Sequence, residues 1–271
     1  MSGKKFNILI SGDDGIYASG LWELVRGMCE VGEVFVVAPD RGYPGQGTGV
    51  TMERSIRVRE AKPYAENIGK TKCYSVEGTP SDCILIGLCD LVKTKVDLVV
   101  TGINEGSNVG GGVLLSGTVG AAFHGYLLGI PAMAVSIDGL ENFNFDAAVK
   151  TAIIMAKLFK SKKLPDNTFV SVSVPNLPIG QIKGVDITQQ LTIGSFCDVV
   201  DTGEDNLNTY YWICRVMPTN PKKNTDAWSI EHNRIVINIL ALGGKLMGGI
   251  ELSSVKWLSD TLERSLGIRN R

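Results

Sequence analysis

Two continuous, mainly apolar runs of strand length, Val96-Asp97-Leu98-Val99-Val100-Thr101-Gly102 and Pro131-Ala132-Met133-Ala134-Val135-Ser136-Ile137, constrain the fold most. Each is too short for a buried helix and lacks the polar alternation of a strand with one wet face. Both therefore suit strands covered on both sides, as in a parallel sheet with helices on each face. Helical stretches separate such runs through the first two-thirds of the chain. A strand over Phe6–Ser11 leads to a helix around Leu21–Glu30 and a strand at Val34–Ala38. Later a helix over Pro80–Val92 leads to a strand at Asp97–Thr101, a helix near Thr118–Leu128 and a strand at Ala132–Ser136. The pattern predicts an α/β class with a Rossmann-like, doubly wound, mostly parallel sheet.

From about Ile182 the texture changes. Polar β-like stretches at Gly184–Ile187, Ser195–Val200 and Asn208–Val216 alternate with turn-rich segments, and Arg234–Leu240 reads as a further strand. Leu252, Val255, Leu258, Leu262 and Leu266 then fall near helical spacing. The expected organisation is a catalytic core over residues 1–181, a β-rich extension with a returning strand over 182–248 that serves oligomerisation, and a C-terminal helix over 249–271.

Composition narrows the function classes. The 27 basic and 28 acidic residues leave a net charge of −1, so no global field exists to hold a nucleic-acid polymer or an anionic membrane. No apolar run approaches the roughly 20 residues of a spanning helix. The six cysteines lack CxxC spacing and there are only two histidines, which removes the basis for a zinc finger or a thioredoxin-like site. The N-terminal stretch reads as a first core strand and not a secretion signal, so a reducing cytoplasm is the expected compartment.

In an open α/β sheet, ligands bind beyond the carboxyl ends of the strands. The loop after the first strand holds Gly12-Asp13-Asp14-Gly15, and the loop after the Asp97–Thr101 strand holds Asn104 and Asn108. Adjacent carboxylates repel unless solvated or bridged, and a hard divalent cation such as Mg²⁺ or Mn²⁺ suits an all-oxygen donor set. Each motif alone reads equally well as a turn or a helix cap. The glycine-rich stretch Gly110–Gly112 runs into Ser116-Gly117-Thr118 at the start of a helix, where free backbone amides and hydroxyls can hold phosphate. Together these features point to a cation at the carboxylates facing a phosphoryl group.

The ordered motifs ILISGDDGIYASG, VVAPDR, EGTPSDC, VVTGINEGSNVG, SGTVGAA and VSVPNLP resemble the SurE family of 5′/3′-nucleotidases across nearly the whole chain. The resemblance implies a metal-dependent phosphomonoesterase acting on nucleoside 5′- or 3′-monophosphates, with one divalent ion (Mg²⁺ or Mn²⁺) per subunit. Carried over by position, it makes Asp13 and Asp14 catalytic residues and metal ligands and Asn104 a further ligand. It also makes Asn108, Ser116, Gly117 and Thr118 the substrate-binding set, and a homodimer or homotetramer the assembly. Four positions depart from the family pattern. Gly12 replaces an asparagine, Pro44 a metal-site serine, Gly112 an acidic residue and Leu115 an aromatic. Pro44 offers neither hydroxyl nor N–H, so a contact there falls to its carbonyl, to Thr48 or to water.

Two other readings follow from the same residues. A dinucleotide-dependent enzyme would use Asp40, but no GxGxxG follows the first strand and two carboxylates sit where a pyrophosphate would approach. A family member with weakened catalysis would instead bind a phosphorylated metabolite or act as an assembly partner. His124, His232, Cys83, Cys89, Arg41 and the aromatic run Tyr210–Trp212 take structural roles: packing, surface or ion pairing.

Overall fold

The computed structural model describes residues 5–64, 68, 71–188, 191–192, 197–204, 208–216, 219–243, 245–246 and 251–268. In chain order the first half holds β1 (Asn7–Ser11), α1 (Ser19–Cys29), β2 (Glu33–Pro39), β3 (Val58–Ala61), β4 (Lys72–Val76), α2 (Pro80–Ile86) and β5 (Leu98–Glu105). Then follow α3 (Gly112–Leu115), α4 (Gly117–Leu127), β6 (Ala132–Asp138), α5 (Asp146–Lys160), β7 (Phe169–Pro175) and β8 (Val185–Thr188). The remainder is β9 (Cys197–Glu204), β10 (Thr209–Arg215), α6 (Asp226–Glu231), β11 (Ile235–Leu242), β12 (Lys245–Leu246) and α7 (Lys256–Leu266).

The main sheet runs β12-β11-β7-β6-β5-β1-β2-β4-β3, with β8 paired to β11. Its centre, from β7 through β5 and β1 to β4, is parallel; β3, β11 and β12 join antiparallel. The continuous apolar runs occupy that centre because both faces are covered: all five residues of β1 and all seven of β7 are buried. One face carries α1, α5 and α7, with Leu21, Leu24, Met28, Met155, Leu258 and Leu262 packed against β1, β5, β6 and β7. The other carries α2 and α4, with Ile84, Val119, Ala121 and Ala122 against Leu9, Val37 and Val99. The doubly wound expectation is met.

Topology explains where a site belongs. The chain builds outward from β1 to β2 and β4, recrosses, and builds the opposite way from β5 to β6 and β7. The connections after β1 and β5 therefore diverge to opposite sides, opening a crevice at the carboxyl ends of these two neighbours. Asp13 and Asp14 follow β1, and Asn104 lies near the end of β5.

Several local features differ from the sequence reading. The stretch expected as a helix over Pro80–Val92 is α-helical only to Ile86 and continues as a π-helical turn over Gly87–Leu91. Its start is well specified, with Pro80 in the first turn and a capping box between Thr79 and Asp82. Cys83 is buried as expected, whereas Cys89 is exposed. Of the later β stretches, β8 and β11 join the main sheet, while β9 and β10 form a separate antiparallel ribbon. Ser195 and Phe196, at the start of the expected Ser195–Val200 strand, lie outside the described residues.

The helix α7 docks on its own chain. Leu258 and Leu262 are fully buried, worth about 1.5–3 kcal/mol each in removed apolar surface. Ser259 Oγ donates to Val185 O at 2.5 Å, and Glu263 Oε1 accepts the Val185 N–H at 2.9 Å. Among the described residues no helix is long and apolar enough to cross a membrane.

Candidate metal and phosphate site

Asp13 is buried, 6% exposed, at the turn after β1. Its carboxylate meets the N-terminus of α4, where Oδ1 accepts the Thr118 hydroxyl and the backbone N–H groups of Gly117 and Thr118 face it. This approach requires glycine at 117, since a Cβ there would lie 2.9 Å from the Asp13 Cβ. Burial raises the Asp13 pKa above the ordinary carboxylate value, while the Thr118 hydroxyl and the helix amides pull it back. The loop after β2 closes over the turn, with the Tyr43 N–H donating to the Asp13 carbonyl at 2.7 Å.

Asp14 keeps solvent access as a residue, yet protein crowds its carboxylate. Burial pushes its pKa up to about 7, the charge of Asp13 adds to the rise, and Glu105 contributes opposing effects through its N–H and its own charge. That N–H donates to Asp14 Oδ2 at 3.1 Å and ties the β1 turn to the end of β5. Burial is thus the largest cause at both carboxylates, and the adjacent charge adds to it at Asp14.

Asn104 reaches the same crevice through a break in strand register. Pairing of β5 with β6 shifts between Thr101 and Asn104, where Gly102 has φ +120° and a Cβ would lie 2.2 Å from Val135 O. Only glycine fits, and the bulge re-aims the residues that follow. The Asn104 amide nitrogen donates to Gly106 O, which leaves its oxygen as the atom available to a cation.

Asn108 is held from behind by serines. Its N–H donates to Ser136 Oγ at 3.1 Å, and its carbonyl accepts from Ser173 Oγ at 3.2 Å. Its side-chain Nδ2 is buried without a hydrogen-bond partner, an arrangement that costs free energy unless a ligand accepts from it. Ser116 caps α4, its Oγ accepting from the Val119 N–H at 3.1 Å. The glycine loop before it is anchored where the Gly110 N–H donates to Asp226 Oδ2 at 2.6 Å.

Asp13, Asp14, Asn104, Asn108 and Ser116 line one cleft of 470 Å³. Gly117 and Thr118 lie behind it; Thr118 is fully buried and commits its hydroxyl to Asp13. Pro44, Gly112 and Leu115, three of the four departures, also border the cleft. So do Glu105, Gly45 and Ile213, which the sequence reading did not single out. Glu105 could have been found, since it adjoins Asn104 at the end of β5; nothing in the sequence marks Ile213, which comes from the distant ribbon. His124 lies outside, its Nε2 3.0 Å from Thr48 O, and Arg41 pairs with Asp40 at 3.4 Å.

Among the described residues, no group of three or more His, Cys, Asp or Glu side chains is gathered as for a zinc centre. The donors at the cleft floor are two carboxylates and an amide oxygen, which fit a hard divalent cation and not a soft one. A cation there would offset the burial that raises both carboxyl pKa values.

The family model described as "Survival protein SurE" matches residues 8–194. A protein named 5′-nucleotidase SurE from Dehalococcoides mccartyi (strain CBDB1) is 42% identical over 236 residues, covering 86% of this chain and 88% of that protein. One of the same name from Geotalea daltonii is 40% identical over 207 residues, covering 76% of this chain and 80% of its own. Among solved structures, the SurE protein from Aquifex aeolicus superposes with a TM-score of 0.71 at 29% identity, covering 93% of this chain and 99% of that one. The strand order, the crevice between β1 and β5 and these likenesses agree, and the chain belongs to the SurE family.

Proposed function

We propose that the chain is a divalent-metal-dependent phosphomonoesterase that hydrolyses nucleoside 5′- or 3′-monophosphates or a related small phosphomonoester. The observation that carries this reading is the pairing, in one cleft, of two pKa-raised carboxylates with the unsatisfied amide donor of Asn108. Cation and phosphate requirements then complement each other. The names of the relatives support nucleotides as the substrate class.

Asp13, Asp14 and Asn104 would hold one Mg²⁺ or Mn²⁺ ion per subunit. When bound, such an ion polarises a phosphoryl oxygen and offsets charge that grows during transfer. Asn108 Nδ2 donates to a phosphoryl oxygen, and Ser116 at the cap of α4 adds a second contact from the helix N-terminus. Thr118 and Gly117 hold the Asp13 carboxylate in place and act on substrate through it. Water attacks phosphorus, the ester P–O bond breaks, and the attacking water's proton passes to the departing alkoxide through the cleft. With Oδ2 engaged by the Glu105 N–H, Asp14 Oδ1 is the carboxylate oxygen left for the cation, and the proton passes through water in the cleft. Pro44 borders the site without a donor, so ligation there falls to its carbonyl or to water.

The compartment is the reducing cytoplasm, in keeping with the free thiols of Cys29, Cys73, Cys83, Cys89 and Cys214. The assembly is a homodimer or homotetramer built through the ribbon, whose Trp212 stands 67% exposed. Turnover of nucleoside monophosphates by the purified protein, compared with Asp14→Asn, tests the activity. Loss of turnover in the folded variant is expected; a near-normal rate would remove Asp14 from the reaction.

A further inference from the structure

The floor and the wall of the cleft differ in chemistry. The floor is polar, made by Asp13, Asp14, Asn104 and Asn108, whereas Leu115, Pro44 and Ile213 border it with apolar surface. Ile213 arrives from β10, far along the chain. It pairs across the ribbon with Val199, and partners directly opposite in a ribbon share a face, so the two side chains form one apolar strip. Ile213 and Val199 are 74% and 60% exposed and Leu115 is 45% exposed, so this strip has apolar surface free to cover a ligand. Trp212, one position away, belongs to the opposite face.

The chain ahead of the ribbon is tied to the glycine loop. Asp226 is fully buried, and its Oδ1 accepts from both the N–H and the hydroxyl of Thr192, at 2.8 Å each, in the segment leading into β9. Its Oδ2 accepts from Gly110 at 2.6 Å and from Asn238 Nδ2 at 3.2 Å. One carboxylate thus links the chain entering the ribbon to the glycine loop that precedes Ser116.

We infer that Ile213, with Val199 and Leu115, forms the surface on which the nucleobase of a nucleoside monophosphate packs, making the ribbon a specificity element of the site. The inference rests on the phosphomonoesterase reading and deepens it. With the phosphate on the polar floor, the rest of the ester extends toward the wall, and an apolar wall recognises a flat ring by its face. These three side chains carry no donor or acceptor to read base edges, so the presence of a base matters more than its identity.

The test compares phosphonate analogues, in which carbon replaces the bridging ester oxygen, of adenosine 5′-monophosphate and ribose 5-phosphate. Their affinities are measured by calorimetry with Mg²⁺ for the wild-type protein and for Ile213→Ser, and turnover of the parent esters is assayed alongside. The side chain is mostly exposed, so the substitution leaves the core intact. The ratio of base-bearing to base-less affinity is expected to fall about fivefold in the variant, as for loss of one apolar contact. A ratio that changes less than twofold overturns the inference. Absence of turnover by the wild-type protein would overturn the phosphomonoesterase reading instead, and the affinity ratio would still decide the role of the wall.

Discussion

The hydroxyl of Thr118 donates to the carboxylate of Asp13, so a residue in the first, buried turn of α4 also orients the deeper of the two site carboxylates. A hydroxyl behind a ligand fixes which carboxylate oxygen faces the cation. Thr118→Val keeps the volume of this buried side chain and removes the donor. It is expected to weaken Mn²⁺ affinity by about tenfold, the lower end for a lost supporting hydrogen bond to a ligand. Thr118→Ser should restore most of it. Metal titration of both variants checks this, and equal affinities would show that the helix amides alone suffice.

Asp226 anchors the glycine loop from the other side, and replacing it tests how far the site depends on that anchor. Asp226→Asn keeps the shape but leaves one acceptor oxygen where Gly110, Thr192 and Asn238 donate. Denaturant unfolding should show a loss of about 2–4 kcal/mol, the cost of one or two buried groups left unpaired. Unchanged stability would mean that the loop is held by other contacts.

The raised pKa values of Asp13 and Asp14 make the metal-free fold sensitive to pH in a definite direction. A carboxyl whose folded pKa lies above its unfolded value binds protons more tightly in the folded state. The two groups therefore weaken the metal-free fold increasingly as pH rises from about 4, and for Asp14 the penalty is complete above about 7. A divalent cation removes that penalty. Thermal unfolding with chelator and with Mn²⁺ should show a larger metal-induced rise in Tm at pH 8 than at pH 5. A larger rise at pH 5 would contradict the electrostatic account.

What could be read from the sequence follows from burial. β1, β2, β5 and β6 were legible because strands covered on both faces carry uninterrupted apolar runs. β3, with Val58-Arg59-Glu60-Ala61 at the sheet edge and only partly buried, offers no such run and went unassigned. The split of Pro80–Val92 into α and π turns has no sequence signal that we can name. At the site, Asp13, Asp14 and Asn104 were accessible as oxygen donors following strands. Two further relations were not. The committed Thr118 hydroxyl depends on how closely Gly117 approaches Asp13, and the place of Ile213 depends on where a separate ribbon lies; both are tertiary facts without local periodicity.

The most direct test is phosphate release from nucleoside 5′- and 3′-monophosphates by chelator-stripped protein, with Mg²⁺, Mn²⁺ or no metal restored. The account predicts release only after metal is restored. Release that is equally fast without metal, or none from folded, metal-loaded protein, would contradict the central claim.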